Sequence, residues 1–320
     1  MCPKTAGQRS KSHVCMEHTR EPRTGVVAPV RPRWLMCRAG DWTGERMLEL
    51  EHGFRVVDVR ARLDPNGDES ARFGRDVGPE RLERELHQAG VVRAVVAPGP
   101  RPDREGYLRV NNAVARLSVD RPFVPLARLN GPRDPSDRPA ARLRNLTASR
   151  ADHHTTPDDV EQYGYGDRFH GFTLDPARDG LPDEETLERL DSVGHPALVR
   201  VGADFSLPAV EETLLRYSFP VVLERFGGFP FDRERMHAAV DLLDRHDDLY
   251  VETSFVRYRD VLERGLLEHP DRVLFGSGAP ATHPNVSVME LLTLDVSEDL
   301  MRRAFEKNAM RVFPALASSA

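Results

Sequence analysis

Short apolar runs alternate with amphipathic stretches along most of the chain. The runs are FRVVDVR (54–60), VVRAVVAP (91–98), PFVPLARL (122–129), FHGFTLDP (169–176), PALVRVG (196–202), FPVVLERFGG (219–228), LYVETSF (249–255) and RVLFGSG (272–278). Each has the length and the β-branched or aromatic content of a buried strand. Between them apolar residues recur at spacings of three and four, as at Leu82, Leu86 and Ala89. That spacing predicts helices over 79–90, 106–118, 183–194, 207–218, 232–246 and 258–270, many ending at Gly or Pro, which stop a helix. Eight strand–helix units in about 270 residues predict a single α/β domain, a (β/α)8 TIM barrel. A doubly wound sheet is the alternative, but no glycine-rich phosphate loop follows the first run. One connection, 130–167, is long; it carries a helix pattern and a polar loop with His153 and His154, the length expected of a lid or binding element.

Composition divides the chain. Residues 1–46 hold all three cysteines (Cys2, Cys15, Cys37), both tryptophans (Trp34, Trp42), and nine Lys and Arg against four Asp and Glu. With a net charge of −6 for the whole chain, the rest carries −11. The first segment lacks apolar periodicity and any sustained hydrophobic core of a signal peptide. It reads either as a basic disordered arm or as upstream sequence with the true start at Met47, and in both cases as disordered. The barrel is expected over 47–314, with a disordered tail at 315–320. The acidic, cysteine-free body points to a cytoplasmic protein without a disulfide framework. Its charge argues against nucleic acid as a partner, and no apolar run of 18 residues suggests a membrane span.

In a barrel of this kind chemistry sits at the C-terminal ends of the strands. Those ends carry Asp58, Arg60 and Arg62 on the first run, Thr173 and Asp175 on the fourth and Arg200 on the fifth. The sixth offers Glu224 and Arg225, the seventh Glu252 and Ser254, the eighth Ser277 and Gly278. Period-two spacing places Asp58, Arg60 and Arg62 on one face of their strand. Adjacency to Arg225 turns Glu224 to the opposite face from that arginine.

Six pieces in order resemble the amidohydrolase-related family of metal-dependent TIM-barrel hydrolases and decarboxylases. They are FRVVDVRARL, GFTLDP, PALVRVG, FPVVLERFGG, RVLFGSGAP and KNAMRVF, and the resemblance covers almost all of 50–314. It implies hydrolysis or decarboxylation of a small polar or carboxylate-bearing molecule by metal-bound hydroxide, with zinc or manganese as cofactor, and often a homodimer. The departures are as informative. The family's first-strand histidine pair falls on Arg60 and Arg62, and its later strand histidines fall on Arg200 and Arg225. Its strand-eight aspartate falls on Gly278 and its strand-four lysine on Thr173.

A guanidinium stays protonated and has no lone pair to give a metal. The resemblance therefore implies a hydrolase by descent whose metal centre is altered or lost, with no cofactor expected unless the enzyme retains a metal elsewhere. The alternative is a non-catalytic pseudoenzyme, an anion-binding or scaffold protein. In that reading Arg60, Arg62, Arg200 and Arg225 converge on the barrel mouth with acids such as Asp58, Asp175, Glu224 and Glu252, and the planar arginine forks take a small anion or carboxylate. A substitute metal site drawn from His153, His154, His170 and His283 is the remaining possibility for an active enzyme.

Overall fold

The computed structural model describes residues 51–65, 67, 78–101, 106–136 and 138–317. The expectations for residues 1–46 and for the last three residues lie outside these. Strands β1 (Val56–Leu63), β2 (Val91–Pro98) and β3 (Phe123–Pro125) pair in that order, all parallel. So do β4 (Ala127–Leu129), β5 (Phe172–Leu174), β6 (Ala197–Val199), β7 (Val221–Leu223), β8 (Leu249–Glu252) and β9 (Val273–Leu274). β3 and β4 are halves of one run. Leu126 between them donates its N–H to Val96 O at 2.8 Å, so the run pairs with β2 on one side and with β5 on the other.

The sheet closes between its two ends. Val59 N–H reaches Phe275 O at 2.9 Å, Arg62 N–H reaches Ala279 O at 2.8 Å, and Gly278 N–H reaches Arg60 O at 2.9 Å. Ala61 and Ala279 pair in parallel. The result is the expected eight-stranded parallel barrel, in which every edge finds a partner.

Alternation along the strands sorts side chains into two apolar layers. Val57, Val59, Val95, Leu126, Leu198, Val222, Tyr250 and Leu274 cluster together, with Ala309, Val312, Phe313 and Leu316 from the C-terminal segment. This is the barrel interior, plugged by the end of the chain. Val56, Ala94, Ala127, Phe172, Val199, Val221, Leu223, Val251 and Val273 belong instead to the cluster that includes the helices. Leu316 is fully buried in a 3-10 turn, Pro314–Leu316, so the packed body runs past residue 314.

The helices form for local reasons. Helix Glu184–Val193 starts at Asp183, whose carboxylate accepts from Thr186 N–H, carries Glu184 and Glu185 in its first turn, and stops at left-handed Gly194. The long 130–167 connection holds two helices, Pro139–Asn145 and Pro157–Gly164. The second opens with a Thr156–Asp159 capping box. It packs on Glu184–Val193 through Gly164, where a Cβ would stand 2.3 Å from Val193 Cγ1.

Candidate functional site

On β6, β7 and β8 the inward position two residues after the apolar layer is polar: Arg200 after Leu198, Glu224 after Val222, Glu252 after Tyr250. On β4 and β5 the corresponding inward residues are Arg128, Thr173 and Asp175. Together with Arg60 and Arg62 they make a charged layer at the C-terminal ends of the strands.

The expectation that Asp58, Arg60 and Arg62 share one face holds only for the two arginines. The β1 register slips between Asp58, opposite Ala94, and Ala61, opposite Val96, so three steps on β1 match two on β2. Val57 and Val59 therefore lie in the interior cluster, while Ala61 and Leu63 lie in the outer one. This bulge turns Asp58 away from the ring and Arg60 into it. Asp58 accepts from the backbone N–H groups of Arg60 (2.8 Å) and Ser277 (2.9 Å) and from Ser277 Oγ. It is fully buried, and burial pushes its carboxyl up. Its role is to seal β1 to the segment after β9.

The charged layer is a chain of alternating signs. Arg60 Nη2 donates to Glu224 Oε2 at 3.0 Å, and its Nε stands 2.9 Å from Oε1 without the alignment of a hydrogen bond. Arg200 Nε donates to the same Oε2 at 3.1 Å, and its Nη1 donates to Asp175 Oδ2 at 2.9 Å. Arg128 Nη2 reaches Asp175 Oδ2 at 3.3 Å, and its Nε donates to Asp179 Oδ2 at 2.8 Å. Tyr107 ends the chain by donating to Asp179 Oδ1 at 2.8 Å. Glu224 thus faces inward, against the expectation that its neighbour Arg225 would turn it outward. Arg225 comes after the strand has ended, in a left-handed turn.

The electrostatics follow from these pairs. Burial raises the Glu224 carboxyl, but the Arg60, Arg200 and Arg62 guanidiniums outweigh it and hold the group well below the usual carboxylate range. Burial likewise opposes charge on Arg200, yet Glu224 and Asp175 keep it firmly protonated. Burial, then Arg60 and Arg200, depress Arg62 strongly, and Glu224 opposes them. Glu252 is fully buried and raised by burial. It accepts from Arg225 N–H (2.7 Å), Ser254 N–H (2.6 Å) and Ser254 Oγ (2.7 Å).

Sequence reasoning missed Arg128, Asp179 and Tyr107. The signal was present: Arg128 breaks an otherwise apolar run two residues past Leu126. Thr173 pairs in register with Arg128 and Leu198 and is buried beside them.

The four histidines are not drawn together. His283 caps helix Pro284–Leu292, its Nδ1 accepting from Asn285 N–H. His170 lies near the strand starts, where burial, His195 and Arg93 lower it. The His153 and His154 rings lie against each other, tilted, with centres 4.2 Å apart, and His154 Nδ1 accepts from Ala151 N–H. Among the described residues no group of three or more His, Cys, Asp or Glu is placed to hold a metal ion.

The sequence profile of the amidohydrolase family matches residues 133–315. The chain belongs to the amidohydrolase family. No curated protein matches it. Solved structures share its barrel. A 5-carboxyvanillate decarboxylase from Novosphingobium aromaticivorans, with bound manganese, has 14% identity and a TM-score of 0.55, over 82% of this chain and 97% of its own. The 2,6-dihydroxybenzoate decarboxylase from Rhizobium has 14% identity and a TM-score of 0.56, over 82% and 99%. A probable 2-pyrone-4,6-dicarboxylic acid hydrolase from Acinetobacter baumannii, with citric acid bound, also has 14% and 0.56, over 82% and 100%.

The charged layer of this amidohydrolase relative does not fit a divalent metal. Its nitrogen atoms are guanidinium nitrogens, which are donors only. Of its carboxylates, Glu224 and Asp175 are each held by two arginines, and Glu252 accepts three hydrogen bonds. Among the described residues no helix is long and apolar enough to cross a membrane.

Proposed function

We propose that this family member is a hydrolase or decarboxylase by descent that takes a small carboxylate-bearing molecule at the barrel mouth, with arginine standing where a metal would otherwise provide positive charge. The observation that carries the reading is the gathering of guanidinium groups at one end of the barrel. Arg60, Arg62, Arg128, Arg200 and Arg225 gather there around Asp175, Asp179, Glu224 and Glu252. Arginine forks match a carboxylate in geometry and charge. The carboxylates named for the structural neighbours support the same ligand class.

A second reading is carboxylate binding without turnover. It is favoured by the state of the acids: Glu224 is locked by two arginines, and Asp58 and Glu252 are sealed from solvent. A general base must reach the proton it takes.

The experiment is metal analysis of tag-free protein, combined with thermal melts in benzoate and citrate and an assay for CO2 release or ester and amide hydrolysis. Less than a tenth of an equivalent of metal, with a ligand-dependent rise in melting temperature, supports the arginine site. Turnover then selects the enzyme reading over the binder. One equivalent of tightly held zinc or manganese sinks both.

A further inference from the structure

Four of the five mouth arginines belong to the chain of ion pairs or lie beside it. Arg60, Arg128 and Arg200 contact carboxylates directly, and Arg62 lies beside them. Arg225 is different. Among the described residues its side chain makes no ion pair and no hydrogen bond. Two rings pack against it instead: the guanidinium carbon lies 4.2 Å from the centre of the Phe255 ring and 4.8 Å from that of Phe229. Phe229 in turn carries Arg200 at 5.2 Å. The order Arg200, Phe229, Arg225, Phe255 is an alternating stack of cations and rings.

The backbone is distorted to build it. Arg225 and Phe226 follow β7 with φ of 58° and 50°, and Phe255 follows β8 with φ of 58°. Left-handed non-glycine residues persist only where their surroundings over-determine them, and they cluster at ligand clamps. Here the determinant is visible: Arg225 N–H donates to buried Glu252 at 2.7 Å, which holds the turn after β7 against β8.

The donors of Arg225 are left to spare. Its Nε is buried without a partner, and the residue as a whole is only half-buried. A guanidinium fork held beside two rings and not engaged by a carboxylate among the described residues is suited to an oxyanion.

We infer that Arg225, clamped between Phe229 and Phe255, is the residue that receives the carboxylate of the ligand, while Arg60, Arg128 and Arg200 serve to hold the barrel mouth together. This deepens the reading above and rests on it. The choice of carboxylate over phosphate comes from the ligand class of that reading; of the charges that act on Arg225, those of Arg60 and Arg200 oppose those of Glu224 and Glu252.

The test is calorimetric titration of the full chain with sodium benzoate and, separately, with inorganic phosphate. Wild type, Arg225→Met and Arg225→Lys are compared, each with its melting temperature. Benzoate should bind wild type at least tenfold more tightly than phosphate. Arg225→Met should lose at least tenfold in benzoate affinity with a fall in melting temperature of no more than about 5 °C, because two cation–ring contacts but no ion pair among the described residues are lost. Arg225→Lys should also lose most of the affinity, since an ammonium keeps the charge and the stem but not the fork. Unchanged benzoate binding in both variants overturns the role of Arg225 and leaves the carboxylate reading standing. Tighter binding of phosphate overturns the ligand class. A wild type that binds benzoate no better than millimolar overturns both.

Discussion

The ring of Phe255 occupies the space that a side chain on Gly278 would need. A Cβ on Gly278 would come within 2.2 Å of Phe255 Cε2, and Gly278 has φ +72°, a conformation costly for any residue with a Cβ. Its N–H also ties β9 to β1 through Arg60 O. The resemblance puts an aspartate here. The glycine is thus tied to Phe255, one of the rings against Arg225, and the position carries a packing constraint of its own.

Gly278→Asp is therefore expected to damage the fold without restoring a metal site. Left-handed strain together with displacement of Phe255 should remove roughly 2–4 kcal/mol. For a domain of this size that lowers the melting temperature by about 5–15 °C. Calorimetry with and without manganese checks both halves. A variant as stable as wild type, or one stabilised by the metal, would contradict the account.

Glu224 gives the network an acid limit. Its folded-state carboxyl is held below the ordinary range by Arg60 and Arg200 despite its burial. A group of this kind contributes stability in full above its unfolded pKa, about 4.3, and loses it as the pH falls further toward the folded value. Asp58 and Glu252, raised by burial, act with the opposite sign. Glu224→Gln removes the first contribution and leaves the other two. Urea denaturation of the variant should show a shallower loss of stability between pH 5 and 2 than wild type. At pH 7 it should be less stable by about 3–5 kcal/mol, because Arg60 and Arg200 lose their common partner. Parallel pH curves for the two proteins would show that Glu224 is not the ionised centre of the chain.

Much of this was legible in the sequence. Runs such as VVRAVVAP and FPVVLERF announce buried parallel strands, and Arg200 stands two residues past the interior residue Leu198, at the end of its run. The count fails on β1 because a bulge adds a residue between Asp58 and Ala61, and Val59 and Arg60 are ordinary strand residues that do not mark it. It fails at Arg225 because the strand ends at Leu223 and the chain enters a left-handed turn without a glycine at the turning residue. Both events are decided by partners far away in sequence: Ser277 for Asp58, Glu252 for Arg225. Local pattern has no access to them.

Arg128 tests how the mouth is held together, since no part of it was expected from the run PFVPLARL. The residue is 4% exposed and contacts Asp175 and Asp179, with Tyr107 stacked 5.3 Å from its guanidinium carbon. Burial opposes its charge, but the two aspartates and Tyr107 more than offset that and hold it protonated. Asp175 has a second arginine, Arg200, whereas Asp179 has only the Tyr107 hydroxyl besides Arg128 among the described side chains. Arg128→Met should therefore leave Asp179 as an uncompensated buried carboxylate and lower stability by about 3–5 kcal/mol. Adding Asp179→Asn should recover at least half of that loss, because the stranded charge goes while the hydrogen bond from Tyr107 can persist. Adding Asp175→Asn should recover much less and further weaken the hold on Arg200. A double-mutant cycle by urea denaturation separates the cases. If the two second-site changes rescue equally, the damage lies in lost packing around residue 128, and the alternating chain is not what holds this end of the barrel.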